Sequence, residues 1–397
     1  MGIRREEKRL RDIGVYVHIP FCARKCPYCD FNSVESPSPP ERKYSECVLR
    51  ELSQLIEKEG LSGAGLESVY LGGGTPSLFS AGAVARLISG ITGRFTPFED
   101  IEVTLEANPD TVTEEKLAGF RSAGVTRLSL GVQSLNDREL EALGRSHDAR
   151  AAKEAFDSAR RAGFENVGVD LIFGVPGQDQ KSWEATLTEV IEMRPEHLSI
   201  YGLTLEEGTP MHEARTSGKI KLPADDETTE MYRSAIGLLK AAGYDHYEIS
   251  NFSLPGLSSR HNMRYWQGGD YLGLGAGAHS YLDRPGWGRR WWNERKIERY
   301  MARVEETGSP EAGGEELKKE EAAAESMMLG LRTSVGVNAA AFTDRFGFPP
   351  HRALDFERFE KEGLIRYEGK GKNLSLTEKG MLFSNELFLS AVERACG

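Results

Sequence analysis

The sequence predicts an α/β protein with a partial barrel of parallel strands, followed by a small winged-helix-like α+β domain. Strand and helix patterns alternate regularly between residues 13 and 204, and this alternation requires parallel strands joined by helical crossovers. Glycine and polar residues cluster just after the strand ends, where α/β barrels build their sites. After residue 315, helical patterns precede a short hairpin pattern, which indicates a winged-helix-like module.

Six short apolar runs predict the strands of the barrel. They cover residues 13–19, 66–71, 101–105, 127–131, 167–173 and 197–201. Helical patterns fill the intervals, as at 41–58, where Tyr44, Val48 and Leu52 recur at four-residue steps. A doubly wound sheet is the alternative, but the glycine loop at 72–74 does not match the G-x-G-x-x-G pattern of a dinucleotide site.

Changes in pattern divide the chain into segments. We predict a charged N-terminal segment at 1–12, the barrel at 13–204, a barrel extension at 205–307 and the small domain at 315–397. Residues 308–314 contain Gly, Ser and Pro and predict a linker. Residues 252–283 are rich in glycine and aromatics and predict a loop around an ordered site. The small domain is not markedly basic, which favours packing or partner binding over nucleic-acid binding.

The composition is that of an ordinary globular protein. The chain has 397 residues, of which 39% are hydrophobic and 28% charged, and its net charge is −11. This charge argues against nonspecific binding to nucleic acid or to an anionic membrane. No apolar run approaches the ~20 residues of a membrane span, and residues 1–12 have no apolar core of a secretory signal. We therefore expect a protein of the reducing cytoplasm.

Three of the five cysteines lie within eight residues: Cys22, Cys26 and Cys29 form a C-x3-C-x2-C pattern. Three such thiolates cannot all pair in disulfides, but they can bind a 4Fe-4S cluster and leave one iron open. The alternative is a structural zinc site with His18 as the fourth ligand. Cys47 and Cys396 have no cysteine nearby in sequence and are expected to be free thiols.

Polar residues mark the ends of the next strands. Glu106 and Gln133 each follow an apolar run, and Asp170 lies inside one, where an unpaired carboxylate would be costly. These positions indicate a binding site at the carboxyl ends of the strands.

Together with the cysteine pattern, the GGGTPS turn, Glu106, Gln133 and the strand that contains Asp170 resemble the radical S-adenosyl-L-methionine (SAM) superfamily. The resemblance implies a partial barrel of six βα units. It also implies that the amino and carboxylate groups of SAM bind the open iron, and that the reduced cluster cleaves SAM to a 5′-deoxyadenosyl radical.

The resemblance also implies roles for individual residues. Glu106 would contact the ribose hydroxyls or the amino group of SAM, with Gln133 beside it. Arg145 would pair with the SAM carboxylate, since a planar guanidinium suits that task; the alternative is a solvated arginine at a helix end. A role for Asp170 in this site is favoured over a role in the core.

The other residues expected at SAM lie near the cysteines and in the glycine turn. Tyr28 would contact the adenine, and Tyr16 would reach the same pocket. Gly73, Gly74 and Thr75 would let the backbone approach a charged amino acid closely. The alternative for these three residues is a tight turn with no ligand.

Several stretches resemble the coproporphyrinogen dehydrogenase-like branch of the superfamily: YVHIPFC, CDF, GGGTPS, SLGVQSL and GVDLIFGVPGQ. The dehydrogenases of this branch carry a further cysteine two residues after the third, where this chain has Phe31. They also have a longer N-terminal extension. The sequence HNMRYW at 261–266 matches instead the H-N-x-x-Y-W motif of the heme chaperones of the branch.

In those chaperones the motif is associated with heme, so the resemblance implies that His261, Asn262, Tyr265 and Trp266 bind it. An imidazole can ligate heme iron, and aromatic rings can pack on a porphyrin. The alternative is a structural cluster in a glycine-rich turn. His279 is a second candidate ligand with weaker support. Two roles are possible for a cluster of three tryptophans: they cover a hydrophobic ligand, or they pack against the following helix. These residues are Trp287, Trp291 and Trp292.

We therefore predict a heme chaperone that holds heme on a 4Fe-4S radical SAM scaffold and transfers it to acceptor proteins such as respiratory cytochromes. The alternative is a SAM-dependent, oxygen-independent coproporphyrinogen III dehydrogenase that decarboxylates propionates. A third hypothesis is a non-catalytic interaction protein with zinc at the cysteines. Binding of nucleic acid is not expected; a homodimer and peripheral membrane contact through the acceptors are left open.

Overall fold

The apolar strand that precedes the first cysteine lies inside one large mixed sheet. We describe the protein from a computed structural model, which covers residues 11–283, 286–368 and 373–396. Residues 1–10 of the predicted charged segment lie outside the described residues.

The strands, in chain order, are β1 Asp12–Ile19, β2 Phe21–Cys22, β3 Val34–Glu35, β4 Gly65–Gly73, β5 Thr96–Ala107, β6 Arg127–Gln133, β7 Val167–Phe173, β8 His197–Gly202, β9 Asp245–Glu248, β10 Asn251–Ser253, β11 Tyr271–Leu274, β12 His279–Leu282, β13 Arg289–Asn293, β14 Glu311–Glu316, β15 Val337–Asn338, β16 Ile365–Glu368 and β17 Asn373–Leu376.

The α-helices are α1 Glu41–Glu59, α2 Ala81–Thr92, α3 Glu114–Ser122, α4 Asp137–Ala142, α5 Ala149–Arg161, α6 Gln180–Met193, α7 Pro210–Thr216, α8 Asp225–Ala241, α9 Arg260–Trp266, α10 Ile297–Thr307, α11 Lys319–Leu331, α12 Ala339–Phe346, α13 Phe356–Lys361, α14 Glu378–Leu382 and α15 Ser384–Cys396. Short 3-10 helices follow β4 and β5 at Pro76–Leu78 and Pro109–Thr111, and a third lies at Pro350–Arg352.

The six predicted barrel strands are all present and parallel. They lie side by side in the order β1-β4-β5-β6-β7-β8, which is also their order along the chain. A doubly wound sheet reverses direction at a switch point, so the uninterrupted order confirms the partial barrel. The strand interiors are almost wholly buried, as in β6, because helices cover the outer face and side chains fill the inner one.

The sheet continues beyond the barrel on both sides. Beside β8 lie the antiparallel strands β10 and β9, and beside β1 lie the parallel β11 and the antiparallel β12, β13 and β14. Twelve strands therefore form one continuous surface. One face of it carries both cavities described below.

The predicted linker at 308–314 is wrong in its second half. Residues Glu311–Glu316 form the edge strand β14, which pairs with β13. Gly313 permits this pairing, because a Cβ atom there would lie 2.6 Å from Cζ2 of Trp292. The glycines thus allow close strand packing rather than flexibility. The domain bounds themselves stay predictions.

The predicted loop at 252–283 is also largely structured. It contains α9, β11 and β12, joined by short turns. A Cβ atom on Gly273 would lie 1.9 Å from the carbonyl oxygen of His279. The glycines in this stretch therefore let β11 and β12 approach each other closely.

The C-terminal part contains α11 to α15 and the three-stranded sheet β15-β17-β16, which fits the predicted winged-helix-like module. It packs on the sheet extension: Arg332 lies over the ring of Trp266 at 4.4 Å and forms an ion pair of 3.7 Å with the buried Glu248. Among the described residues, we find no helix with the length and apolar character needed to span a membrane.

Candidate functional site

The cysteine pattern opens into a cavity at the carboxyl ends of the barrel strands. This cluster cavity has a volume of about 400 Å³, and it is lined by the three cysteines together with Tyr28, Gly73, Gly74, Thr75, Glu106, Gln133, Arg145 and Asp170. Burial raises the pKa of Cys29, and the neighbouring Cys26 and Cys22 add to the rise. A positive group such as an iron centre would offset this by stabilising the thiolates.

The zinc alternative does not fit the geometry. Within residues 11–283, 286–368 and 373–396, no three His, Cys, Asp or Glu side chains lie close enough to hold one metal ion between them. His18, the candidate fourth ligand, shares hydrogen bonds of 2.9 Å with the hydroxyl of Tyr16 and the carbonyl of Asn32. A 4Fe-4S cluster presents separate iron corners, so its cysteine ligands need not converge on one ion.

The glycine turn holds the cysteine loop in place. The N–H of Gly74 donates to the carbonyl of Ile19 at 2.8 Å, and that of Thr75 to the carbonyl of Phe21 at 2.7 Å. A Cβ atom on Gly74 would lie 2.7 Å from the same Phe21 oxygen. These N–H groups are therefore occupied by the protein, and Gly74 is needed for the close approach of the two loops.

Two carboxyl groups point into the cluster cavity from neighbouring parts of the barrel. Glu106 accepts hydrogen bonds from the hydroxyl of Tyr70 at 2.8 Å and from the N–H of Gly73 at 3.0 Å. Burial raises its pKa to about 7. Burial also raises the pKa of Asp170, whose two oxygens accept from the Ser129 hydroxyl at 3.1 Å. The cavity thus holds two carboxyl groups that are costly to ionise without a positive partner.

Arg145 is buried in the cavity wall, which makes the alternative of a solvated helix-end arginine wrong. One terminal nitrogen donates to the Cys26 thiol at 3.4 Å, and the other to Oδ1 of Asn108 at 2.7 Å and the carbonyl of Gly131 at 3.1 Å. A further hydrogen bond joins it to Tyr28. Its buried Nε has no partner, so the guanidinium keeps a donor unused beside the cysteines.

Gln133 ends β6 with a strained backbone. Its φ of 68° lies in the left-handed region, which side chains other than glycine rarely adopt. A Cβ atom on Gly131 would lie 2.9 Å from Nε2 of Gln133, so the bend directs the amide across the strand end. Such strain is frequently found at functional sites.

Among the lining residues that were not predicted from the sequence are Asn108 and Arg127. Asn108 orients Arg145 and donates to the Thr75 hydroxyl at 3.2 Å. Arg127 is only 2% exposed, although it begins an otherwise apolar strand. A charged residue at the head of a buried strand was the signal that could have identified it.

A second cavity lies beside the barrel, between the sheet extension and the C-terminal domain. This lateral cavity has a volume of about 760 Å³. Residues of β1, β11, β12 and β13 form its floor, and residues of α11 and α12 form its roof. Its lining is rich in aromatic residues: Tyr16, Tyr265, Trp266, Tyr271, Tyr281, Phe342 and Phe346.

The HNMRYW helix α9 separates the two cavities. Asn262 lines the cluster cavity, whereas Tyr265 and Trp266 line the lateral cavity. Two predicted assignments therefore change sides. Asn262, predicted to bind heme, lines the cluster cavity, where SAM is predicted to bind. Tyr16, predicted to bind SAM, lines the lateral cavity. The reason is that α9 and the tyrosine rings close the space between the two cavities.

His261 lies inside the partition and reaches neither cavity. It is 1% exposed, with Nδ1 2.8 Å from the Ser68 hydroxyl and Nε2 2.8 Å from the Tyr265 hydroxyl. Burial lowers its pKa to about 3, so the ring is neutral. Both nitrogens are engaged, and in this conformation His261 positions Tyr265 instead of offering a free nitrogen to a ligand.

The tryptophan cluster does not act as one cover. Trp291 is 1% exposed and packs in the core under the guanidinium of Arg289. Trp287 stacks on Phe346 of the C-terminal domain, and Trp292 stacks against His279.

Comparisons with known proteins identify the family of the chain. Residues 16–190 match the family model of the Radical SAM superfamily, and residues 317–383 match that of the HemN C-terminal domain. The chain is 36% identical to the heme chaperone HemW of Bacillus subtilis over 382 residues, which cover 94% of this chain and 98% of that protein.

The chain belongs to the HemW family.

Other HemW relatives support the assignment. The chain is 41% identical to the heme chaperone HemW of Haemophilus influenzae over 70% of this chain and 72% of that one. It is 34% identical to the bovine mitochondrial radical S-adenosyl methionine domain-containing protein 1, over 96% of this chain and 87% of that one. Membership of the radical SAM superfamily implies a 4Fe-4S cluster and SAM.

The fold has a close counterpart among solved structures. The coproporphyrinogen III oxidase HemN of Escherichia coli superposes with a TM-score of 0.81, covering 96% of this chain and 90% of that one. The sequence identity is only 23%, so this likeness shows that the HemW-family chain shares the HemN fold and carries no statement about its activity.

Proposed function

We propose that this protein is a heme chaperone, which binds heme on a 4Fe-4S and SAM scaffold and passes it to acceptor hemoproteins. The observation that carries the proposal is the similarity to a heme chaperone over 98% of the relative's length. The second, aromatic cavity beside the cluster cavity supports it, because it offers room for a cargo that SAM and the cluster do not use.

The proposal gives each wall of the cluster cavity a task. Cys22, Cys26 and Cys29 hold the cluster, and the guanidinium of Arg145 beside Cys26 pairs with the SAM carboxylate. Tyr28 lies between the last two cysteines and packs beside the ligand. When bound, the cluster and SAM would supply one-electron chemistry; the protein residues orient the ligand and hold its charges.

Glu106, Gln133 and Asp170 complete the proposed SAM site with hydrogen-bond acceptors on the opposite wall. Glu106 is positioned by Tyr70 and Gly73 to accept from a ribose hydroxyl or an amino group. Gly74 and Thr75 contribute by fixing the cysteine loop through their N–H groups, and the N–H of Gly73 holds Glu106.

SAM affinity is expected to depend on pH through Glu106. Its pKa of about 7 means that the acceptor carboxylate forms above pH 7 and is protonated below it. We expect affinity to be highest at about pH 8 and to fall up to about tenfold per unit below pH 7. Calorimetric titration of SAM between pH 5.5 and 8.5 measures this. The Glu106→Gln variant should bind more weakly at pH 8 and lose the dependence.

The exposed Glu99 on the same strand provides the matched control. Glu99→Gln should retain the wild-type pH profile. A wild-type affinity that is constant from pH 5.5 to 8.5, or a profile that persists in Glu106→Gln, would contradict the role of Glu106.

The alternative function, oxidation of coproporphyrinogen, has support from the shared fold alone. Phe31, where the dehydrogenases have a fourth cysteine, lies at the rim of the cluster cavity with 61% of its surface exposed. For the favoured function we propose cytoplasmic delivery to acceptors such as respiratory cytochromes.

One anaerobic experiment separates the two functions. The reconstituted full-length protein receives SAM and reductant with either heme or coproporphyrinogen III. We expect stoichiometric heme binding, followed by transfer to an apo-hemoprotein, and no loss of carboxyl groups from the porphyrinogen. Conversion of coproporphyrinogen without heme binding would replace the chaperone by the dehydrogenase.

A further inference from the structure

The floor of the lateral cavity is a flat face of the extended sheet. Tyr16 and His18 of β1, Tyr271 of β11, and His279 and Tyr281 of β12 all line it. Tyr271 is paired with Tyr281 across β11 and β12. Alternate residues of a strand share one face, so these rings belong to one surface. Gly273, between the β1 and β12 rings, adds no side chain and leaves the surface open.

The two histidines of this floor differ in whether their ring nitrogens are hydrogen-bonded within the protein. Both nitrogens of His18 are hydrogen-bonded within the protein. His279 has an exposed side chain, is stacked on Trp292 with ring centroids 5.9 Å apart, and forms no hydrogen bond through its ring within the part of the chain that the structure describes. Partial burial, with Arg290 and Arg295 nearby, lowers the pKa of His279 and so favours the neutral imidazole.

Groups suited to carboxylates lie around the same space. Arg290 and Arg345 line the cavity, the first paired with Glu315 at 2.6 Å and the second with Asp283 at 3.0 Å. All three guanidinium nitrogens of Arg290 are engaged by Glu315 and Glu325. Arg345 pairs through one terminal nitrogen and is 38% exposed, so its remaining donors can reach a ligand.

The cavity thus offers the imidazole of His279, flat aromatic walls and the donors of Arg345 at its edge. A tetrapyrrole with a coordinating iron and two propionates requires this combination. The volume of about 760 Å³ lies within the usual range for an organic cofactor site, ~300–1,000 Å³. Glu325 also lines the space, but it is paired with Arg290.

We propose that heme binds in the lateral cavity with His279 as an iron ligand, and that His261 supports the wall without touching the iron. The inference rests on the heme-chaperone function proposed above and assigns the place and the ligand. Tyr265 and Trp266 of the HNMRYW helix then face the porphyrin, and His261 holds Tyr265 through Nε2. Met263 and Met328 line the same cavity and place thioethers near the ring.

The first test replaces the ligand. Heme titration of the full-length protein, read by Soret absorbance and by low-temperature electron paramagnetic resonance, compares wild type with His279→Gly. We expect the variant to bind at least about tenfold more weakly and to lose the imidazole-ligation signature. Added free imidazole should restore both the heme affinity and the ligation signature, because it replaces the missing ligand. Free imidazole would not repair a purely structural defect. His351→Gly, an exposed histidine of the C-terminal domain, is the control and should behave as wild type.

The outcomes separate the two proposals. If wild type binds no heme, the chaperone function fails and this inference fails with it. If wild type binds heme and His279→Gly binds it with unchanged affinity and signature, the assignment of His279 is overturned while the function stands. A weakened variant that imidazole does not restore also overturns the ligand role.

A second variant tests the place independently of the ligand. Ser326 lies on α11 in the roof, and Ser326→Trp would fill the cavity without changing His279. We expect it to exclude heme while cluster content and SAM binding stay at wild-type values. If Ser326→Trp binds heme with wild-type affinity, the heme lies elsewhere. If His261→Ala loses the spectroscopic signature of imidazole ligation, His261 and not His279 is the iron ligand.

Discussion

Replacing any one of the three cysteines of the cluster loop by serine is expected to abolish the iron–sulfur cluster. Cys22, Cys26 and Cys29 all line one cavity, and a cluster with one open iron has only three thiolate ligands from the protein, so it tolerates no loss. Iron content after anaerobic reconstitution should fall from about four atoms per chain to a small fraction of one. The broad visible absorbance of the cluster should disappear with it.

Cys47 supplies the matched control. It is a free cysteine on α1, 4% exposed, and does not line the cluster cavity. Cys47→Ala should keep the full iron content, because the chain loses a thiol but no ligand. A Cys26→Ser protein that retained four iron atoms would contradict the three-thiolate site. The role of Arg145 beside the Cys26 thiol would fall with it.

Trp291→Ala is expected to cause the largest loss of stability among the tryptophans of β13. The side chain is 1% exposed and lies under Arg289, whose guanidinium is 4.7 Å from the ring centroid. Arg289 in turn pairs with Glu59 of α1 at 3.3 Å and Glu311 of β14 at 2.6 Å. Removing the indole creates a large void and leaves the arginine without its apolar support, at a cost of about 3–5 kcal/mol.

Trp292 tests this within the same strand. It follows Trp291 and lies on the opposite face, where it is only partly buried against His279. Urea unfolding followed by tryptophan fluorescence and circular dichroism should show a much smaller loss for Trp292→Ala. The free energies of unfolding are compared only if the variants have the same slope m, the dependence of the free energy on urea concentration, because equal slopes show that the variants expose similar surface on unfolding. Equal losses for the two variants would show that the extended sheet is not anchored through Trp291.

The barrel was predictable because its signals are local. Parallel strands buried on both faces appear as short apolar runs, and helical patterns fill the intervals. The edge strand β14 was missed for the opposite reason: Glu311–Glu316 contains two glycines, and a local pattern cannot show that Gly313 packs against Trp292 and Gly314 against Trp291 of another strand. The same holds for Gly273, which serves a contact with His279.

The residues of the candidate site also fall into those that could be predicted from the sequence and those that could not. The placement of Glu106, Gln133, Arg145 and Asp170 in one cavity could be predicted, because the carboxyl ends of parallel strands lie at one edge of a sheet. Arg127 was missed because its position at the head of a buried strand is only a weak signal, and the charges that it meets belong to residues of other strands.

The sequence by itself determined the spacing of the three cysteines, the order of the barrel strands and the family, because spacing and periodicity are properties of the chain. Only the tertiary structure decided which cavity each side chain enters. The helix of HNMRYW stands between two cavities, so Asn262 lies on one side and Tyr265 on the other, although only two residues lie between them. His261 and His279 differ for the same reason: a nitrogen is free or engaged according to what folds against it, here Ser68 and Tyr265 for His261.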